Sequence, residues 1–558
     1  MTKLEKIIYP VKSRGTGILL KAKLFNGVHP VESREAGISP LAKLFHGVKK
    51  LIDLKPQNIE ELFNYKRKLS SEFKIHLLPN VEILKIYRQL LKNKKVKRNT
   101  LLENILRRRA IRSLSGVSVI AVLTKPYSCP GKCSYCPEEK EMPKSYLSNE
   151  PAVMRAILCD FDPYKQVKTR LNALKITGHP TNKIELIIMG GTWSYLPSKY
   201  QTWFVKRCFD ALNKKISKEL SRAQKINEKS SHQCISLTLE TRPDYINEEE
   251  IKKMREFGCT KVEIGVQTLD NFILQLNKRG HNVEDTIKAT KLLKNAGFKV
   301  CYHMMPNLPG SNLKKDLQIF KKLFSDQNFK PDYLKIYPCV VVKNSPLYKS
   351  YIKGEYKPYS DKKLLELLIK IKTIIPPYVR IIRLVRDIPS ISIEGGNKIS
   401  NLRELLQKEM EQRGIKCKCI RCREIRSQLY ELKNIKLIKR VYDSSFGKEY
   451  FISYEDIKND KIIAFLRLRI TKNTFPKELE GAAIIREIHT YGQQVPINEK
   501  LKSASQHFGF GKKLMREAEK ICKKEKIEKI AVISGIGARE YYRKLGYKLE
   551  GTYMVKLL

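Results

Sequence analysis

The sequence predicts an α/β multidomain protein: a parallel sheet with helices outside, open or closed into a barrel, then a second α/β domain, behind a basic helical N-terminal region. Three observations predict it. From residue 116, short β-rich runs alternate with amphipathic segments, the pattern of a parallel sheet flanked by helices. From residue 436 the rhythm changes to paired strands and one long helix entered through a glycine-rich turn. Ahead of both, residues 51–115 read as helical and basic. A chain of 558 residues with 42% hydrophobic content also exceeds one ordinary domain.

The elements follow in order. "PVKSRGTGILLKAKLFNGVH" (10–29) is followed directly by "PVESREAGISPLAKLFHGVK" (30–49), so residues 1–50 read as a duplicated, poorly ordered tail with no chemistry assigned. Two copies are too few for a solenoid. Residues 51–115 carry the cationic runs "LKNKKVKRN" (91–99) and "RRRAIR" (107–112). The whole chain has 109 Lys and Arg against 57 Asp and Glu, a net charge of +52. A polyanion such as RNA is the natural partner, phosphate contacts being the basis of such binding. A generally lysine-rich surface is the plainer reading. No apolar run is long enough to cross a membrane, and the N-terminus lacks a signal-peptide pattern. With its remaining cysteines scattered, the chain is expected to be cytoplasmic.

Residues 116–395 form the expected barrel. Its strand candidates are "VSVIAVLT", "IELIIMG", "CISLTLE", "KVEIGV", "FKVCYHMM", "YLKIYP" and "VRIIRLV". "CPGKCSYC" follows the first, "GGTW" the second, "TRPD" the third, "QTLD" the fourth and "PNLPG" the fifth. All lie at carboxyl ends of strands, which in a parallel barrel gather on the face that carries active sites.

Cys129, Cys133 and Cys136 are spaced C-x3-C-x2-C on one tight loop. An odd number at this spacing argues against a disulfide framework. A structural zinc would want a fourth Cys or His, and none lies nearby. Three thiolates on one loop suit an iron–sulfur cluster. A cubane of four irons then keeps one iron open for a small molecule. This arrangement resembles the radical S-adenosylmethionine (SAM) enzymes, and Gly190 and Gly191 resemble that superfamily's SAM-binding glycine motif.

Residues 396–435 form a linker containing "IKCKCIRCRE". Cys417, Cys419 and Cys422 read as ligands of a structural zinc without an identified fourth ligand; a second redox cluster and three unmetallated thiols are the alternatives. In residues 436–558, Gln506-x-x-Gly509-x-Gly511 opens a helix, where backbone amides and the helix dipole can bind a pyrophosphate. With "YYRKLGY" one strand later, this half resembles the acetyl-CoA site of GNAT acetyltransferases. Tyr542 is then a hydrogen-bond donor or acid near the thioester, or equally a core tyrosine.

Taken together, "EPAVMRAI", "IIMGGTW", "ETRPDY", "EIGVQTLD", "NKRGH", "FKVCYHMMPNLPG", "NLRELL" and "VISGIGAREYYRKLGY" resemble the catalytic subunit of Elongator, the tRNA wobble-uridine modifying family, from about residue 110 to the end. The resemblance implies a 4Fe–4S cluster, SAM and acetyl-CoA acting in one reaction. The acetyl methyl loses a hydrogen, its carbon adds to C5 of the wobble uridine in the anticodon stem-loop, and thioester hydrolysis leaves 5-carboxymethyluridine. It also implies acetyl-CoA contacts at Lys183, Glu487, Ile488, His489, Thr490, Phe510, Gly511, Lys512 and Tyr542, with Lys183, His489 and Tyr542 as catalytic candidates. From spacing alone Lys183 is an ordinary exposed lysine. The rival readings are a protein-lysine acetyltransferase with a structural barrel and a non-catalytic RNA scaffold; the intact cysteine trio opposes both. The sequence names no electron donor and leaves a homodimer open.

Overall fold

The computed structural model describes residues 40–107, 115–426, 428, 430–492 and 509–558. Most of the duplicated segment, Arg108 to Arg112 of the second cationic run, and Gln506 lie outside them. The chain forms two compact units, Met1–Leu78 and Pro79–Leu558. The first holds two described helices, Pro40–Asp53 and Ile59–Glu72, paired with each other. Asn58 caps the second by accepting from the Glu61 amide. The division at Leu78 falls inside the basic region 51–115. Helices Asn80–Lys92 and Thr100–Leu106 belong to the larger unit, where Arg107 Nε donates to the Gly178 carbonyl at 2.9 Å.

The larger unit is built on two sheets of seven strands each. The first is β1 Val117–Leu123, β2 Lys183–Met189, β3 Gln233–Thr241, β4 Cys259–Gln267, β5 Lys299–Met304, β6 Tyr333–Ile336 and β7 Arg380–Arg383, in that spatial order. Every pair is parallel. The seven β-rich runs predict these parallel strands but leave the sheet open or closed; with β1 and β7 at its edges it is the partial (β/α) barrel that the radical SAM resemblance implies. Helices cross between successive strands, and their termini are encoded locally. In "NVEDTIKATKLLKNAG", Asn282 and Asp285 form a reciprocal capping box and Gly297 ends the turn at φ +84°.

Alternation along the strands places apolar and charged residues on opposite faces. In β2, Ile184, Leu186 and Ile188 are buried in the hydrophobic core, while Lys183, Glu185, Ile187 and Met189 line a central cavity. The barrel lumen therefore carries charged side chains beside apolar ones such as Ile187 and Met189, where lumens of this type are usually filled by aliphatic layers.

The second sheet comprises β8 Ile435–Ser444, β9 Gly447–Asp456, β10 Lys461–Ile470, β11 Ala482–Thr490, β12 Lys529–Val532, β13 Lys548–Glu550 and β14 Tyr553–Leu557, in the order β13-β14-β12-β11-β10-β9-β8. Only β11 and β12 pair in parallel.

This sheet docks against the amino ends of the barrel strands. Arg486 of β11 donates from Nη1 and Nη2 to the two carboxylate oxygens of Asp332, just before β6, at 2.7 and 2.6 Å. Tyr333 Oη donates to Glu487, and Arg380 Nη1 donates to Tyr491 Oη at 2.8 Å. Glycines permit the approach. A Cβ on Gly535 would lie 2.1 Å from the Ile235 carbonyl, and one on Gly537 would lie 2.5 Å from Gln233 Cβ. The cysteine loop sits at the carboxyl ends, so the length of the barrel separates it from the second sheet. At the rise of a β-strand, Lys261 to Gln267 along β4 spans about 20 Å.

Candidate functional site

At the carboxyl end of β1 the chain turns through Pro130 and Gly131. A Cβ on Gly131 would come within 2.5 Å of Arg242 Nη1 and within 3.5 and 3.6 Å of the sulfurs of Cys133 and Cys129. Only glycine lets those groups converge. The loop is pinned by Ser134, whose hydroxyl donates to Asn277 Oδ1 at 2.9 Å. Arg279 Nη1 donates to Cys133 Sγ at 3.4 Å and its Nη2 to the Gly265 carbonyl at 2.7 Å. Gly265 must be bare, because a Cβ there would meet that Nη2 at 2.6 Å. The thiol of Cys133 is held well below its ordinary range by the hydrogen bond from Cys136 and by the charge and bond of Arg279.

The residues present fit an anionic iron–sulfur cluster with a bound cosubstrate. Among the described residues, Arg242 Nη1, Arg279 Nε and Gln267 Oε1 are buried around this mouth without a hydrogen-bond partner. Such orphaned groups are costly unless something arrives to meet them. Gly191, at φ +93°, faces the cavity. Gly190 has an internal reason to lack a side chain: a Cβ would fall 1.9 Å from Thr124 Oγ1 on the neighbouring strand end.

At the other end, Gly509 takes a left-handed conformation and starts the helix Phe510–Lys524. The first-turn amides of a helix have no acceptors within it and form a ready anion site. A Cβ on Gly511 would lie 3.1 Å from Tyr541 Oη and 3.9 Å from both Ile488 Cδ1 and Thr490 Oγ1, so β11 and the tyrosine pair close on this turn. Sequence reasoning selected Tyr542, which is buried and lines the cavity; its neighbour Tyr541 carries the hydroxyl nearest the turn. Burial pushes the Tyr542 phenol up, so it remains protonated.

His489 packs against the rings of Phe465 and Tyr491, and its Nε2 has no partner among the described residues. Burial lowers its pKa to about 4, so the ring is neutral near pH 7. Lys183, at the start of β2, also lines the cavity, and burial depresses its ammonium.

One continuous cavity of about 2110 Å³ joins these ends. It is lined by Cys129, Cys133, Cys136, Gly191 and Lys183, by Glu487, Ile488, His489 and Thr490, and by Phe510, Gly511, Lys512 and Tyr542. Of the expected site residues, only Gly190 and the second cysteine trio stand outside its lining. Sequence reasoning missed the middle of the cavity: Glu185, Glu240, Lys261, Glu263, His303 and Lys335.

Cys417, Cys419 and Cys422 bring their sulfurs within 4.8 Å of one another. A tetrahedral zinc with bonds of about 2.3 Å needs sulfurs roughly 3.8 Å apart, a separation that this limit admits. No fourth Cys, His, Asp or Glu joins it among the described residues. Cys419 starts the short helix Ile420–Arg423, whose first amide donates to the Val379 carbonyl just before β7. The Ile425 amide donates to Ile462 of β10, so the trio braces the passage between the sheets.

A cysteine loop over the carboxyl ends of parallel strands, joined to a sheet with a glycine turn beneath, defines a radical SAM domain fused to an acetyltransferase. Residues 126–323 match the Radical SAM superfamily, 331–412 the Radical SAM C-terminal domain and 420–547 the Acetyltransferase (GNAT) family. The tRNA uridine(34) acetyltransferase of Methanocaldococcus jannaschii is 50% identical over 469 residues, covering 81% of this chain and 87% of that protein. Elongator complex protein 3 of Homo sapiens is 41% identical over 471 residues, covering 81% and 86%. A solved structure of Methanocaldococcus infernus Elp3 with its N-terminus deleted superposes with a TM-score of 0.72 at 46% identity, covering 80% of this chain and 100% of that one. The chain belongs to this family of radical SAM acetyltransferases and is an enzyme of the acyltransferase class. The family implies a 4Fe–4S cluster and SAM, and the GNAT domain fits acetyl-CoA.

Proposed function

We propose that this enzyme converts the wobble uridine of tRNA anticodons to 5-carboxymethyluridine, taking the added carbons from acetyl-CoA. The observation that carries the reading is the single cavity: the cysteine loop and the acetyltransferase turn open onto opposite ends of one space. A protein-lysine acetyltransferase with a structural barrel has no use for such a connection. The relatives' names, which specify tRNA uridine(34), support the substrate.

Cys129, Cys133 and Cys136 would hold the cluster, with Gly191 beside SAM. Once loaded, the cluster and SAM supply abstraction of a hydrogen atom from an unactivated C–H bond. Arg279 and Arg242 bring positive charge to the loop and favour its thiolate form. The first-turn amides at Phe510, Gly511 and Lys512 would bind the coenzyme A pyrophosphate with help from the helix dipole. Glu487 to Thr490 and Lys183 line the cavity between that turn and the lumen and would contact the rest of the bound coenzyme. His489 offers a neutral imidazole and Tyr542 a protonated phenol along this path. The two ends lie about a strand's length apart, so acetyl group and base meet inside the barrel. Cys417, Cys419 and Cys422 hold a structural zinc in this reading.

The RNA partner is the anticodon stem-loop, a basic chain of net charge +52 favouring it. The protein works in the cytoplasm. No helix among the described residues is long and apolar enough to cross a membrane. The test is mass spectrometry of nucleosides from a tRNA transcript incubated anaerobically with reconstituted enzyme, SAM, reductant and acetyl-CoA. 5-Carboxymethyluridine is expected only when all are present; modification without SAM would refute the reading.

A further inference from the structure

Within the lumen, β4 and β5 set a carboxylate against an imidazole. His303 Nε2 and Glu263 Oε2 are 3.0 Å apart. The His303 side chain is 16% exposed, and it lines the cavity. Glu263 is 1% exposed. Lys335 of β6 ion-pairs with Glu263 from one side and with Glu240 of β3 at 3.2 Å, and Lys261 of β4 lies 3.9 Å from the same carboxylate. The Tyr337 ring packs edge-on against the imidazole. These groups, from β3, β4, β6 and the residue just after β6, together with Cys301 of β5 itself, are the charged and titratable neighbours of His303 among the described residues.

Such a set needs an explanation beyond stability. Buried ion pairs are seldom better than apolar packing, and a barrel lumen ordinarily takes Val, Ile and Leu. A metal is a poor explanation. Glu263, Cys301 and His303 do bring ligand atoms within 4.8 Å of one another, but the Lys335 ammonium already occupies the carboxylate.

A carboxylate that fixes one imidazole nitrogen while the ring lines an open cavity is the arrangement of a general base with its orienting partner. The function proposed above requires a thioester to be hydrolysed, and this inference rests on that reading. We propose that His303, oriented by Glu263, is the general base that activates the water for this hydrolysis. Water oxygen bonds to the thioester carbonyl carbon as a water proton passes to His303. The carbon–sulfur bond then breaks, and the proton moves from the imidazolium to the departing thiolate of coenzyme A. The products are a carboxylic acid and a free thiol, and no electrons are exchanged. Burial and the Lys335 charge lower the pKa of His303, keeping the ring neutral and able to accept a proton near pH 7. His303 is the next-to-last residue of β5, nearer the cysteine mouth than the second sheet, which suits a thioester whose methyl end points to the cluster.

The full-length protein with tRNA transcript and acetyl-CoA tests this, coenzyme A release being followed by chromatography and acetyl-CoA affinity by calorimetry. His303→Ala should lower hydrolysis by about 100-fold or more, the worth of a general base, while leaving affinity unchanged. Imidazole added to the buffer should restore part of the rate, which a purely structural role would not produce. His303→Gln, closer in volume, should show the same loss if the alanine variant folds poorly. A rate near the parent's in either variant, a loss matched by lost binding, or no rescue by imidazole would overturn the assignment. Absence of acetyl-CoA binding and hydrolysis in the unsubstituted protein would instead refute the acetyl-CoA reading, and the base with it.

Discussion

Replacing Asp332 by Ala should loosen the seam between the two sheets. Asp332 and Arg486 are fully buried, and Arg486 reaches both carboxylate oxygens. The Val300 amide also donates to Asp332, at 2.9 Å. Burial alone would raise the carboxyl pKa, but the charges of Arg486, Lys294 and Arg467 outweigh it and hold the group well below its usual range. Removing one partner of such a pair strands a buried charge, at a cost of about 3–5 kcal/mol. Arg486 keeps Glu449 and the Phe298 carbonyl, but Arg467 and Lys294 lose the same counter-charge, so the loss is expected within that range.

A chain of several domains need not unfold in one step, so calorimetry and hydrogen exchange across β6 and β11 are the appropriate readouts. Asp332→Ala should lower the first transition and speed exchange on both strands. Asp332→Ala combined with Arg486→Met should recover part of the loss, because the stranded charge is gone. The contribution also has a pH signature. The folded carboxyl titrates below the unfolded value of about 3.9, so its stabilisation is complete above that value and is lost as pH falls beneath it. The variant should therefore have a shallower acid limb. A single variant within about 0.5 kcal/mol of the parent, or strictly additive losses in the double variant, would refute the seam.

Cys129→Ala, Cys133→Ala or Cys136→Ala should each abolish deoxyadenosine production and reduce bound iron while the chain stays folded, as read by iron analysis and circular dichroism. Cys417→Ser with Cys419→Ser should lose zinc and thermal stability but keep its iron; a parent protein without zinc by elemental analysis would contradict that site. Removing residues 1–115, which takes away both cationic runs, should weaken tRNA binding and flatten its salt dependence, since fewer phosphate contacts release fewer counterions. Coincident binding curves across a salt series would move the RNA grip to the barrel and acetyltransferase surfaces.

The strands of the barrel are legible because each is a short run of β-branched and aliphatic residues bounded by turn formers, and all seven runs form strands. The motifs at their ends are legible for the same reason: parallel order puts every such loop on one face. β8 escapes because "IKLIKRVYDS" alternates with lysine and arginine and lacks an apolar run. The lumen escapes for a subtler reason. Lys183 and Glu185, or Lys261 and Glu263, alternate with apolar residues as on a strand half open to solvent. In a partial barrel that polar face turns inward, so only the curvature of the sheet turns these charges into a site. Arg279 and Arg242 lie within the quoted motifs "NKRGH" and "ETRPDY", yet nothing in the spacing says that they reach the cysteine loop. Asp332 and Arg486 are 154 residues apart, and no local pattern connects them.

The central claim is that one cavity lets the chemistry at the cysteine loop act on the acetyl group held by the second domain. Acetyl-CoA bearing a trideuterated methyl tests it directly, with SAM, reductant and tRNA present and 5′-deoxyadenosine analysed by mass spectrometry. Transfer of deuterium from the acetyl methyl into deoxyadenosine is the expected result. Unlabelled deoxyadenosine formed while the uridine becomes modified would show that the hydrogen comes from elsewhere, and the account of the cavity would fail.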